Sequence, residues 1–389
     1  MLTNTNKKLA PVVLAIVMVS LVAPRAQAIP PDPDNAALLY YQGFLSLAEL
    51  DDDARDLLGD VARGKVDPND RVREYLDQCQ GGIEFAEAAA EVPNCHWGFR
   101  FSQGFDALMP QLGQARALTF VLMADARVRA ADGDYRGALE RCLMTETFSR
   151  HIGDDTLISY LVSIAVKAMG YRCMDDVVGQ AVDDAPLLEW LKRELSTGSG
   201  YEVSPVRPLK FEREIALDTL RMEKIDHFIT ITNEMDEDVQ AKIKARTSEE
   251  ELALGRRLYS ERAILALEIL AADGSYEETF TQLERLSEDL DPNAPGEWAA
   301  GLLMPAIGRI YNLKTRSVSD ARAIRIGVEI CLQRAKTGQL PKALPAGSPK
   351  DPFSGKEFAY ERTDGGFVLR CRAKEMKTER LHEYAFAVK

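Results

Sequence analysis

The sequence lacks every contiguous catalytic or metal-binding signature sought in it. It has no Cys-x-x-Cys, no His-Glu-x-x-His, no Gly-x-Ser-x-Gly, no phosphate-cradling glycine loop and no EF-hand loop. Any active site would have to assemble from residues distant in sequence. Histidine is scarce as well: His96, His151, His227 and His382 are too widely separated for a local zinc site. No catalytic residue, cofactor or metal is assigned on this basis. Net positive charge is also missing, since 48 Lys and Arg face 61 Asp and Glu, for a formal charge of -13. Such a surface repels phosphate backbones, which excludes nucleic acid as an expected partner. The acids are dispersed apart from short clusters such as Asp51-Asp52-Asp53 and Glu249-Glu250-Glu251, which read as solvated faces or helix starts.

Long apolar runs are lacking except at the start. Lys7 and Lys8 precede an apolar stretch from Leu9 to Ala23, and Ala26-Gln27-Ala28 follows with small residues at the minus-three and minus-one positions. This pattern predicts a cleaved secretory signal over 1–28, with the mature chain starting near Ile29. The expected location is exported, periplasmic or extracellular. Loss of Lys7, Lys8 and Arg25 with no acid takes the formal charge to -16. No cysteine follows the cleavage site, so neither a lipid tether nor stable membrane insertion is expected after cleavage. Gln111 to Ala131 and Thr156 to Met174 are apolar around much of their circumference, but Arg116, Asp125, Arg127 and Lys167 interrupt them. They read as helices at the middle of a stack, too short and broken to cross a bilayer.

Six cysteines, Cys79, Cys95, Cys142, Cys173, Cys331 and Cys371, make disulfides possible in an oxidising compartment and permit fifteen pairings. Cys331 with Cys371 and Cys79 with Cys95 are the expected pairs. Cys142 reads as a small apolar residue on a helix face.

What the chain does contain is helical periodicity. Ala36, Leu38, Leu39, Tyr40, Phe44, Leu45 and Leu47 predict a helix from Asn35 to Leu50, capped by Asp34 or Asn35. A short helix precedes Gly64, and Asp67-Pro68-Asn69-Asp70 opens one running toward Ala90, with Asp67 as its cap. Ala130-Ala131-Asp132-Gly133-Asp134-Tyr135 closes one helix and opens the next, on which Tyr135, Ala138, Leu139, Cys142 and Leu143 share a face. The same device recurs at Ala271-Ala272-Asp273-Gly274-Ser275-Tyr276. Both turns resemble the middle of a tetratricopeptide repeat, a resemblance over about thirty residues at each place that implies a surface for peptides or proteins.

The organisation expected is a signal at 1–28, a helical region at 29–198, a possible linker at 199–208, a second helical region at 209–340, and a loop with a β-hairpin at 341–389. The last helix is expected over Ser319 to Lys336. In the tail, Thr363-Asp364-Gly365-Gly366 supplies a tight reversal with positive backbone angles, and Phe367, Leu369 and Cys371 alternate onto one face.

Asn35-Ala36-Ala37-Leu38-Leu39-Tyr40-Tyr41-Gln42, the Ala131 to Tyr135 turn with Gly153-Asp154-Asp155-Thr156-Leu157-Ile158, and Asp351-Pro352-Phe353-Ser354-Gly355-Lys356 together resemble an uncharacterised family of exported helical proteins of Planctomycetes-type bacteria. That resemblance implies no known activity. The last of these elements, with Phe358 and Tyr360, also resembles the C-terminal sheet of secretion-system pseudopilins. Their methylated N-terminal helix and acidic calcium ligands have no counterpart here, so neither a pilin role nor a calcium site carries over.

Two constellations could carry chemistry. Asn94-Cys95-His96-Trp97-Gly98-Phe99-Arg100 gathers polar, aromatic and basic groups in a loop, where Trp97 and Phe99 read chiefly as anchors to the core. Glu212, Glu214 and Asp218 lie near Arg213 on one helix, with Glu214 and Asp218 at i and i+4; an exposed polar face is the plain reading. The expectation as a whole is a mainly α protein, an array of antiparallel helical hairpins with a small C-terminal β-hairpin. It acts as an exported scaffold or as a binding protein for a protein or peptide partner in the cell envelope. The alternative is a hydrolase-type enzyme whose carboxylates meet only in the fold.

Overall fold

Side-chain caps decide where most of the helices begin. The computed structural model describes residues 32–197, 204–231 and 237–388, so the signal-like stretch 1–28 lies outside the described residues. The chain divides after Asp34, and the described residues of the unit Asn35–Lys389 form fifteen α-helices and one sheet. Asn35 opens α1 (Ala36–Leu45), its Oδ1 accepting from the Ala37 N–H at 3.2 Å and from the His96 N–H at 2.8 Å. Its Nδ2 donates back to the His96 carbonyl at 3.0 Å, so one side chain caps a helix and fastens a loop. Asn35→Ala is therefore expected to cost about 1–2 kcal/mol in urea unfolding with an unchanged m-value. A loss under about 0.3 kcal/mol would show that the cap and the loop tie are idle.

The helices α2 (Asp52–Ala62), α3 (Asp70–Gln78) and α4 (Gln80–Ala90) follow. The single helix expected from Asp67 toward Ala90 is two, parted at Cys79, where φ and ψ are -95° and 1°. Its cap is Asn69 and not Asp67, because Asn69 Oδ1 accepts the Val72 N–H at 3.0 Å, three residues on. The hairpin α5 (Pro110–Ala131) to α6 (Tyr135–Gly153) forms as the sequence indicates. Gly133 takes φ 83°, and Asp134 caps α6 through the Gly137 N–H at 2.9 Å.

The counterpart hairpin, α12 (Glu249–Ala271) to α13 (Tyr276–Glu288), uses another device. Ala272 leaves the helix extended at φ -74°, ψ 147°, and Ser275 with Glu278 forms a reciprocal capping box. Between them in sequence lie α7 (Leu157–Gln180), α8 (Ala185–Thr197), α9 (Val206–Thr219), α10 (Met222–Ile231) and α11 (Glu237–Arg246); α14 (Glu297–Leu303) and α15 (Ile307–Thr337) complete the set. The first half of the possible linker at 199–208 falls outside the described residues, and α9 starts at Val206.

The expectation for α7 needs correcting in length: it runs on to Gln180, and by length and composition alone its 24 residues suffice to cross a membrane. More than half of that stretch is buried in protein, against α5, α6, α15 and the sheet. The main core joins α1 to α8 with α15 and the sheet, and its largest fully buried rings include Tyr40, Phe148, Phe358 and Phe367. Burying each such side chain contributes roughly 1.5–3 kcal/mol. A second core gathers Ala216, Ile225, Tyr259 and Trp298 from α9, α10, α12 and α14.

The C-terminal sheet has three antiparallel strands, β1 (Ala359–Thr363), β2 (Gly366–Arg370) and β3 (Glu383–Ala387), in that order. The expected hairpin is its first two strands. Of the two turn glycines only Gly366 has a positive φ, 150°, and a Cβ there would lie 2.0 Å from the Phe386 carbonyl oxygen of β3. Asp351 explains the element before the sheet: fully buried, it accepts from the Phe353 N–H at 2.9 Å, the Ser354 hydroxyl at 2.5 Å and the Arg372 N–H at 2.7 Å. Asp-Pro-Phe-Ser-Gly-Lys is thus a closed turn that fixes the sheet to the chain before it.

All six cysteines are free thiols, and neither expected pair is adjacent. Cys371 Sγ lies 3.3 Å from Ser319 Oγ, whereas Cys331 is twelve residues further along α15, about 18 Å at the helical rise. Cys79 and Cys95 flank α4 at its opposite ends, so its eleven residues hold them apart.

Candidate functional site

Two open hollows lie on the half built from α9 to α14. The first is an apolar groove of about 710 Å³ whose walls include Ile243, Leu290, Pro292, Trp298 and Leu302, with Arg246, Asn293 and Glu297 at its rim. It owes its shape to a cinched loop between α13 and α14. Arg246 donates to the carbonyls of Pro292, Asn293 and Ala294 at 2.6, 3.1 and 3.2 Å. Glu297 accepts the Asp291 N–H at 2.7 Å, and Asp291 accepts the Asn293 N–H at 2.8 Å. Glu251, from α12, takes both the Gly296 N–H and the Trp298 Nε1–H at 2.7 Å. The Gly296 N–H first, then the indole, holds the Glu251 carboxyl below the usual range. The groove is therefore preformed, with its tryptophan locked from behind.

The second hollow is polar. A cleft of about 800 Å³ is lined by Glu214, Asp218, Arg221, Glu223, Arg256 and Arg257 among others, and a smaller one of about 310 Å³ shares Asp218 and Glu223 with it. In the smaller, His227 Nε2 lies 2.9 Å from Asp106 Oδ2.

The carboxylates singled out from the sequence separate here. Glu214 and Asp218 reach the cleft, but Arg213 pairs with Glu214, while Arg221 and Lys224 pair with Asp218. Glu212 points inward, where burial raises its pKa and the Leu157 N–H partly offsets this. Paired carboxylates for acid and base work need one common cleft, and these three do not share it.

The loop at Asn94–Arg100 is an anchor. Trp97 is buried, donates Nε1–H to the His151 carbonyl at 2.6 Å and stacks on Phe44 and Tyr40. His151 meets the Tyr40 hydroxyl at 3.1 Å, and burial, then Arg150, pushes its pKa down to about 4. It is a neutral core histidine. His382 lies 2.8 Å from buried Glu375, and His96 contributes only backbone to Asn35. Among the described residues no three of His, Cys, Asp and Glu gather in a way that could hold a metal ion.

The groove residues escaped the sequence reading. Glu251 sits in an acidic cluster that reads as a helix start, which it is, but Trp298 lies 47 residues away and no local pattern links them. The local sign is a tryptophan two residues after the Pro295-Gly296 break. No protein-family model matches the chain, no curated protein matches it in sequence, and no solved structure matches its fold.

Proposed function

We propose that the chain is an exported scaffold that binds a protein or peptide partner of the cell envelope through the groove beside Trp298. The observation that carries this reading is the preformed apolar groove of about 710 Å³ with a polar rim, large enough for apolar side chains of an extended peptide. Its rim of Arg246, Asn293 and Glu297 offers the few polar groups that would orient such a segment. The signal-like residues 1–28 support export, and the helical hairpins support a presenting surface.

Gly301 gives a clean test. It is exposed on the groove floor, and a Cβ there would meet Leu290 at an ordinary 3.6 Å, so Gly301→Gln plugs the groove without disturbing α14. A displayed peptide library panned on residues 29–389 is expected to yield apolar-centred peptides. Their affinity falls at least tenfold in Gly301→Gln, while circular dichroism and the thermal midpoint stay unchanged. Peptides that bind both proteins equally, or no binders at all, would sink the reading.

A hydrolase is the second reading, and the His227–Asp106 contact at 2.9 Å favours it. It ranks lower because both side chains are about half exposed and the nearby carboxylates already face cations. Turnover of a model ester or amide that is abolished in His227→Ala would reverse the order.

A further inference from the structure

The α6–α7 hairpin is closed by two helices whose backbones touch. A Cβ on Gly170 would fall 1.9 Å from Thr145 Oγ1 and 3.1 Å from the carbonyl oxygen of Cys142. Cys173 is three residues after Gly170 on α7, and Cys142 is three before Thr145 on α6, so in antiparallel helices the same contact stripe brings the two cysteines together. The two thiols act on each other electrostatically, and both residues are fully buried. A disulfide spans roughly 4.4–6.8 Å between Cα atoms, a separation that packed helices reach where a residue without a Cβ lets them close. Gly170 is that residue.

The geometry points to Cys142 and Cys173 as a disulfide site that bolts α6 to α7 when the chain folds in the presence of an oxidising disulfide. One cysteine thiolate attacks a sulfur of the external disulfide, forming a mixed disulfide and releasing one thiolate. The second cysteine thiolate then attacks the protein sulfur of that mixed disulfide, making the Cys142–Cys173 bond and releasing the other half. Two electrons pass from the cysteine pair to the oxidant, which leaves as two thiols carrying the two protons. Burial drives the Cys142 thiol up and closes both sulfurs to solvent, so the exchange belongs to folding and not to the finished native state. Once made, the bond is shielded from reductant by the same packing. The inference is independent of what the Trp298 groove binds.

The test is to unfold the full chain with reductant, refold it by dilution into oxidised or reduced glutathione, alkylate under denaturing conditions and digest with trypsin. Arg141 and Arg172 directly precede the two cysteines, so the expected linked species joins the 142–150 peptide to the 173–192 peptide. Four cysteines carry the alkyl group in the oxidised sample and six in the reduced one. The oxidised protein is also expected to melt at a higher temperature, a gain absent from the Cys142→Ala/Cys173→Ala double variant. Six alkylated cysteines after oxidative refolding, a bridge between another pair, or a glutathione adduct on Cys142 or Cys173 with no bridge would each overturn the proposal. The peptide map uses the unmodified chain, so it decides the matter even if the double variant fails to fold.

Discussion

Asp175→Asn is expected to stabilise the protein at pH 8, by about 3 kcal/mol in urea unfolding. Asp175 sits on α7 with Oδ1 buried and without a hydrogen-bond partner. Burial, and then the neighbouring Asp176, push its pKa from 3.8 up to about 8. The native state therefore keeps a proton that the unfolded chain gives up near pH 4. A raised folded pKa contributes stability that is intact below the unfolded value and is lost as pH climbs toward the folded value. Each pH unit across that window costs about 1.4 kcal/mol, nominally about 6 kcal/mol in all, which the side chain's partial contact with the surface reduces. Asparagine fits the same space with no proton to lose, so the variant's stability should be flatter between pH 5 and 8. Cys331 is affected too, since burial and then Asp175 push its thiol up to about 12. Parallel pH profiles for the two proteins would refute the assignment.

Glu375→Ala should cost about 3 kcal/mol at pH 7, because it strands buried His382 and deprives part-buried Arg316 of its carboxylate. Glu375 Oε2 lies 2.7 Å from Arg316 of α15 and 2.8 Å from His382, and its side chain is 3% exposed. Burial alone would raise its pKa, but Arg316 and His382 together hold the carboxyl below its ordinary value. A depressed folded pKa contributes stability that is present above the unfolded value and lost as pH falls through the folded one. The difference between wild type and variant should therefore narrow only under strongly acidic conditions. The damage should centre on the sheet, since the Glu375 N–H also donates to the Arg380 carbonyl and His382 stacks on Phe353. Urea titrations at pH 7 and pH 3 measure both effects. A loss below about 1 kcal/mol at pH 7 would mean that the cluster is incidental to how the C-terminal segment is held.

The candidate groove was nearly illegible beforehand for a physical reason. Its walls come from α11, α13, α14 and the loop at 289–296, and its tryptophan is locked by a carboxylate from α12. Each contribution is ordinary in its own segment: an acid in a helix's first turn, two breaking prolines, a short apolar helix. The cysteines teach the same lesson in reverse. Cys142, which reads as an apolar filler, lies on the close α6–α7 contact with Cys173, while Cys331 and Cys371, which share inward-facing patterns, lie at different levels along α15.

Local backbone chemistry could be read directly from the chain. Asn35 and Asp134 as caps, Gly133 as the helix stop, the apolar stripes and the mainly α composition all depend on residues within a turn of one another. Periodicity at that range fixes which face of a helix is apolar. It does not fix what that face meets, at what depth a carboxylate comes to rest, or which of six thiols share a layer. Those outcomes depend on how far apart packed helices stand, and one close contact at Gly170 or one cinched loop at Arg246 changes them without leaving a mark on neighbouring sequence. The third strand, the Trp298 groove, the proton on Asp175 and the Cys142–Cys173 contact were therefore decided by tertiary packing alone.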